Sequence, residues 1–359
     1  MPILITAPSL DETRNVSGIS TVVRQMIECG PAGRYDHFMV GRADGESKRA
    51  AWLLRQAALP ISFFRRAVDR SVELVHINTA LTGLAIWRDA ALAAAARLAG
   101  RRIVLSIHGG RYLVEEIRDP LTRTAASALL RSAASVIVLS ENERSLLAER
   151  WPELKLRVLP NAVALPHRTR AARPVGERPV IVFLGRMHES KGLRELVAAA
   201  RELANRGIDF EFRAYGEGHL REWFVDEMTA LLGPRFLYGG VAVGGDKWRV
   251  LAEADIFVLP SLYGEGLPMA MLEAMATALV VVVSEMASVG TVIDDGVNGF
   301  LVRPGDTLQL VDTLRRVIGT RDRWEAVGSA ARATVERRFS IGPYLTELEN
   351  IYREAIGKN

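Results

Sequence analysis

Two turn-like stretches in the second half of the chain hold the residue types for anion and hydroxyl chemistry. The first, Gly185-Arg186-Met187-His188-Glu189-Ser190-Lys191-Gly192-Leu193, follows an apolar run and opens a helical pattern. A helix start presents unbonded backbone N–H groups and the positive end of a dipole, so Arg186 and Lys191 beside one suit a diphosphate. Arg forks two phosphate oxygens and Lys adds a compact charge. Solvated surface charge is the plain alternative for both. In the second stretch, Pro260-Ser261-Leu262-Tyr263-Gly264-Glu265-Gly266-Leu267-Pro268-Met269-Ala270-Met271-Leu272-Glu273-Ala274-Met275, Pro268 suits the first turn of a helix. Glu265 then stays in the loop, and Glu273 falls about one and a half turns into the helix. Among Met269, Met271, Leu272 and Met275 its carboxylate is partly buried and needs partners. A vicinal diol such as that of ribose can donate two hydrogen bonds to it. A local cap or ion pair is the alternative.

The elements that must hold these turns read as follows. Apolar runs at 3–6, 74–77, 103–107, 136–139, 180–184, 210–214, 256–259 and 280–283 are mostly continuous and do not alternate. Such strands are covered on both faces, as in parallel sheets. Amphipathic stretches of helical length lie between them, at 20–29, 124–132, 190–205 and 218–232. The βα series occurs twice, interrupted at 164–179, where Pro and Arg replace apolar periodicity. The expected organisation is α/β: residues 1–165 and 166–342 as two doubly wound, Rossmann-like domains, and 343–359 as a helix begun at Pro343. Open α/β sheets bind ligands beyond the carboxyl ends of their strands, so two of them in series predict a cleft between facing edges.

The 359 residues are 49% hydrophobic and 25% charged, which excludes disordered and fibrous classes. A single cysteine, Cys29, excludes an internal disulfide or a cysteine-rich zinc site. No Asp-x-Asp pair is present to hold a divalent ion, and no apolar run reaches the ~18–20 residues of a membrane span. The start, Met1 to Asn15, reads as a first strand and not as a cleavable leader. Residues 1–165 carry 22 Lys and Arg against 16 Asp and Glu, and the rest 24 against 26, so the first half is basic. An aromatic content of 7% argues against a nucleic-acid surface.

Gly185-Arg186…Lys191-Gly192, Gly216-Glu217-Gly218 after a strand, and the string Glu265-Gly266-Leu267-Pro268-Met269-Ala270-Met271-Leu272-Glu273-Ala274-Met275 together resemble the signature of the retaining glycosyltransferases of family 4. The resemblance implies the GT-B fold, a nucleotide-diphosphate sugar donor (UDP- or GDP-sugar), retention of anomeric configuration and no essential metal. It assigns Arg186 and Lys191 to the donor diphosphate, Glu265 to sugar hydroxyls and Glu273 to the ribose. Gly185, Gly216, Gly266 and Leu267 belong to the same donor site. Gly18, in Ser17-Gly18-Ile19-Ser20, stands for the family's glycine loop near the phosphates, and His108, in Ile107-His108-Gly109-Gly110, for its histidine at the sugar end. Ser140-Glu141 and 159–163 match as scaffold. The acceptor expected is a glycan or a lipid-linked saccharide of cell-envelope or exopolysaccharide synthesis. The resemblance implies that the first domain is its binding half and that the protein works in the cytoplasm, as a peripheral protein on the inner face of the plasma membrane.

Departures cluster after Glu273. Ala278 and Val280 replace a usual Gly and Pro, Ala287-Ser288 replace paired glycines, and Thr291 replaces a Glu; by the resemblance all of them lie near the donor. Residues 51–70 mix aromatics, aliphatics and Arg, which suits either an anionic membrane surface or core packing with solvated Arg. An epimerase or phosphorylase on the same plan, and a non-catalytic sugar-nucleotide sensor, stay open as alternatives. A nicotinamide enzyme is disfavoured because Gly216-Glu217-Gly218-His219-Leu220-Arg221 lacks the third glycine of the dinucleotide turn.

Overall fold

The computed structural model describes residues 2–13, 15, 17–41, 50–167, 169–170, 177–286 and 288–357. Among them, twelve strands form two six-stranded sheets, every pairing parallel. The first sheet holds β1 (Ile3–Ala7), β2 (Tyr35–Met39), β3 (Leu74–Thr79), β4 (Ile103–Ile107), β5 (Ser135–Val138) and β6 (Leu156–Val158), in the order β2-β1-β3-β4-β5-β6. The second holds β7 (Val180–Leu184), β8 (Glu211–Tyr215), β9 (Phe236–Tyr238), β10 (Ile256–Leu259), β11 (Val280–Ser284) and β12 (Phe300–Val302), in the order β12-β11-β10-β7-β8-β9. β1, β3, β4, β5, β7, β10 and β11 are buried at every position, as their unbroken apolar runs require.

Helices of the first half are α1 (Gly18–Cys29), α2 (Ala50–Ala67), α3 (Gly83–Leu98), α4 (Pro120–Ser132) and α5 (Glu141–Arg150). Those of the second are α6 (Leu193–Asn205), α7 (Arg221–Leu232), α8 (Gly244–Ala252), α9 (Met269–Ala276), α10 (Thr307–Gly319), α11 (Trp324–Arg338) and α12 (Ile341–Ala355). Three boundaries differ from the sequence reading. Gly18 is the first residue of α1 and not part of a loop. Pro268 is the N-cap of α9, one residue before the helix. α12 begins at Ile341, so Pro343 lies inside its first turn, where its missing N–H breaks no intrahelical bond.

α12 lies against the first sheet. Tyr352 Oη is 2.6 Å from His76 Nδ1, and His76 Nε2 is 2.7 Å from Ser106 Oγ, all buried. Arg34 pairs with Glu349 at 2.7 Å. The chain thus passes between the halves twice, and the two passages touch: Val163 N–H donates to Phe339 O at 2.8 Å, beside the bridge of Val163 to Ser340. Of the expected linker, residues 168 and 171–176 lie outside the described residues. Arg170 docks on the second half, donating its N–H to Thr277 O at 2.7 Å and pairing with Asp255 at 3.3 Å.

Candidate active site

In the second sheet the strand order reverses between β7 and β10, which are neighbours in space though far apart in sequence. The turns leaving their carboxyl ends are the two charged stretches, so topology alone brings Arg186 and Lys191 next to Glu265. Opposite stand the first turn of α1 and the turn after β4. Between them lies a cleft of about 350 Å³. All of the sequence-derived site residues line it: Gly18, His108, Gly185, Arg186, Lys191, Gly216, Glu265, Gly266, Leu267 and Glu273.

Lys191 closes the 3-10 turn Glu189–Lys191 ahead of α6. Its Nζ donates to Glu265 Oε1, which also accepts from Ser261 Oγ at 3.0 Å. Glu273, 2% exposed, accepts from Lys247 Nζ at 2.6 Å while still bordering the cleft, so the local ion pair of the sequence reading and the cleft position coexist. Lys247 also lies 3.8 Å from Glu12, whose other oxygen accepts from Gly244 N at 2.7 Å. Glu12 belongs to the β1–α1 loop, so this cluster spans the cleft. Gly216 is at φ +138, and a Cβ there would stand 1.9 Å from Gly185 O. Only glycine lets the turns after β7 and β8 pack that closely.

His108 sits at the other end. Its Nε2 lies 2.7 Å from Asn78 Oδ1, while Asn78 Nδ2 donates to Thr6 O at 3.0 Å, so the imidazole proton resides on Nε2. Burial pushes the His108 pKa down to about 4, the Asn161 side chain opposing the shift. The ring is neutral at pH 7, and its Nδ1 keeps a buried lone pair with no hydrogen bond. Here the two halves touch: a Cβ on Gly109 would meet Gly266 N at 2.7 Å, and Asn161 Nδ2 donates to Leu267 O at 2.8 Å.

The sequence reading expected the altered residues after Glu273 to lie near the donor. Ala278, Val280 and Thr291 do not line the cleft, nor does Ser288, and Ala287 lies outside the described residues. Ser288 instead spans to the first half: its Oγ donates to Glu143 Oε1 at 2.7 Å and lies 3.1 Å from Ser140 Oγ. Glu143 is fully buried, also accepts from Leu139 N at 2.8 Å, and burial raises its pKa. Sequence reasoning missed Glu12, Asn78, Lys247 and the Glu143–Ser288 bond, whose partners are tens of residues or more apart. It also named no metal ligands, yet His188, Glu189 and His219 gather on the rim. The signal available there was a histidine in each of the turns that follow β7 and β8.

Two parallel sheets with a polar, cation-bearing cleft at their reversal points make a two-lobed α/β architecture whose ligand site lies between the lobes. The family model described as Glycosyltransferase Family 4 matches residues 16–166, and the one described as Glycosyl transferases group 1 matches 178–320. A 2-deoxystreptamine glucosyltransferase of Streptomyces kanamyceticus is 30% identical over 290 residues, covering 75% of this chain and 73% of that protein. An Escherichia coli UDP-Gal:alpha-D-GlcNAc-diphosphoundecaprenol alpha-1,3-galactosyltransferase is 24% identical, over 95% of each chain. The Anabaena protein HepE, solved in complex with UDP-glucose, superposes with a TM-score of 0.77 at 18% identity, covering 99% of this chain and 100% of that one. The chain belongs to glycosyltransferase family 4 and is a glycosyltransferase.

Proposed function

We propose that this enzyme transfers a sugar from a UDP- or GDP-sugar to a glycan or lipid-linked acceptor of envelope or exopolysaccharide synthesis, with retention and without a metal in the chemical step. The observation that carries the reading is the convergence of Arg186, Lys191 and Glu265, from two turns at one reversal point, and Glu273 of α9 in a single cleft. The diphosphate displaces Glu265 from Lys191 and lies between Lys191, Arg186 and the first turn of α1, whose N-cap Ser17 makes no side-chain cap bond. Glu265, released, accepts from sugar hydroxyls, and Glu273 from the ribose. His108 Nδ1 accepts from a further sugar hydroxyl.

The anomeric carbon–oxygen bond to the diphosphate breaks, and the acceptor oxygen forms the new glycosidic bond on the same face. The acceptor proton passes to the departing phosphate oxygen, whose growing charge the two cations stabilise. The lipid-linked acceptor is favoured by the name of the E. coli relative and by the basic first half. That half also has exposed apolar residues on α2, α3 and α4, which suit an anionic leaflet.

The test begins with a thermal-shift panel of UDP-, GDP- and ADP-sugars, followed by turnover of Arg186→Ala and Lys191→Ala. Each substitution is expected to lower turnover by about 10²–10³, with chelation causing no loss of wild-type activity. Full activity in either variant, or loss on chelation, rejects the mechanism. Product analysis separates transfer from epimerisation.

A further inference from the structure

Beside the turn bearing Arg186 and Lys191 stand three side chains with metal-binding atoms. His188 is the N-cap of the 3-10 turn Glu189–Lys191, and His219 follows Gly218 in the turn after β8. Their donor atoms and a Glu189 oxygen all lie within 4.8 Å of one another. His219 Nε2 is 2.7 Å from Glu189 Oε1, His188 Nε2 is 3.6 Å from Glu189 Oε2, and the two imidazole centroids are 5.0 Å apart. Of the three, only His188 borders the cleft, so the group occupies its rim.

Two imidazoles and one carboxylate suit a borderline dication and not Mg²⁺ or Ca²⁺, which take mostly oxygen ligands. Three protein ligands with one open position is a familiar Zn²⁺ arrangement. Tetrahedral bonds of ~2.1 Å place donor atoms about 3.4 Å apart, so rotation of exposed side chains closes the observed span. We propose that His188, Glu189 and His219 form a Zn²⁺ site whose occupation weakens donor binding in the adjoining cleft.

The coupling runs through one ring. Ser190 N–H donates to His188 Nδ1 at 3.1 Å, so without metal the ring carries its proton on Nε2. A metal on Nε2 takes that lone pair, and the proton moves to Nδ1. Nδ1–H no longer accepts from the Ser190 amide; it donates instead to Ser190 Oγ, also 3.1 Å away. Metal and cap therefore compete for the same imidazole. The turn that loses its cap ends on Lys191, the cation assigned above to the diphosphate, and the coupling half of the proposal rests on that reading. The metal's charge is partly cancelled by Glu189 and screened by water at the rim, so loss of the cap dominates.

The test uses the full chain stripped with chelator. Equilibrium dialysis against Zn²⁺ alone is expected to give one bound ion per chain, with affinity at least about tenfold weaker in His219→Gln. UDP titrated calorimetrically is expected to bind the Zn²⁺-loaded wild type severalfold more weakly than the stripped protein. His219→Gln is expected to bind UDP equally in both conditions and like the stripped wild type. Zn²⁺ binding unaltered by the substitution, or UDP affinity unchanged or raised by the ion in the wild type, overturns the proposal. A wild type that binds no nucleotide sinks the donor reading and the coupling with it, while the dialysis still decides the site.

Discussion

Ala278 is the one non-glycine with positive φ among the described residues, at +64°. It stands where the family usually has glycine, so the backbone has kept a left-handed turn after α9 while the side chain has not followed. A Cβ in that region is strained by about 1–2 kcal/mol, and glycine relieves it at the cost of a more flexible unfolded chain, a cost of about 0.4–1 kcal/mol. Ala278→Gly is therefore expected to raise stability by about 0.5–1 kcal/mol, read from urea midpoints. A lower midpoint would sink this account of the turn. The same scale shows the limit of sequence reading. Glu273 was legible as a partly buried carboxylate because four apolar neighbours surround it, but nothing near it announced Lys247, which comes from α8. Arg186, Lys191 and Glu265 were legible because each lies in a turn leaving a strand's carboxyl end, where ligands of such sheets gather.

Among elements, the strands missed from the sequence are β2, β6, β9 and β12, and they are the four sheet edges. β2, β6 and β9 have no fully buried residue, and β6, β9 and β12 are only three residues long, so none shows the longer buried apolar run that betrayed the central strands. α2 explains why residues 51–70 supported two readings at once. Leu59, Phe63 and Ala67 recur every fourth residue and are buried, whereas Ile61, Phe64 and Val68 are exposed beside Arg65. The neighbouring α3 and α4 add exposed Leu84, Trp87 and Leu121. If these faces meet an anionic leaflet, vesicles containing anionic lipid should sediment the wild type and release Phe64→Ser/Trp87→Ser, with neutral vesicles retaining neither. Equal sedimentation of both proteins would remove the membrane reading.

At the scale of the whole molecule, two buried imidazoles couple its integrity to acidity. Burial pushes the His76 pKa down to about 3, with His108 adding to the shift, and His108 itself falls to about 4. Unfolded histidines titrate near 6.5, so between that value and the folded ones the unfolded chain binds more protons. Stability should thus drop as pH falls from about 7 towards 5. Glu143, raised by burial, works the opposite way and is one group against two. Denaturant midpoints across this range check the sign, and His76→Gln should flatten the slope; a midpoint that climbs on acidification would refute it. His76 also ties the last helix to the first sheet, which bears on how the molecule opens. Because the strands of chain at 163 and 340 lie side by side, the halves are joined by two threads sharing one pivot. Twisting about a single covalent tether is thereby suppressed, and the lobes are left to swing like a jaw about that one axis.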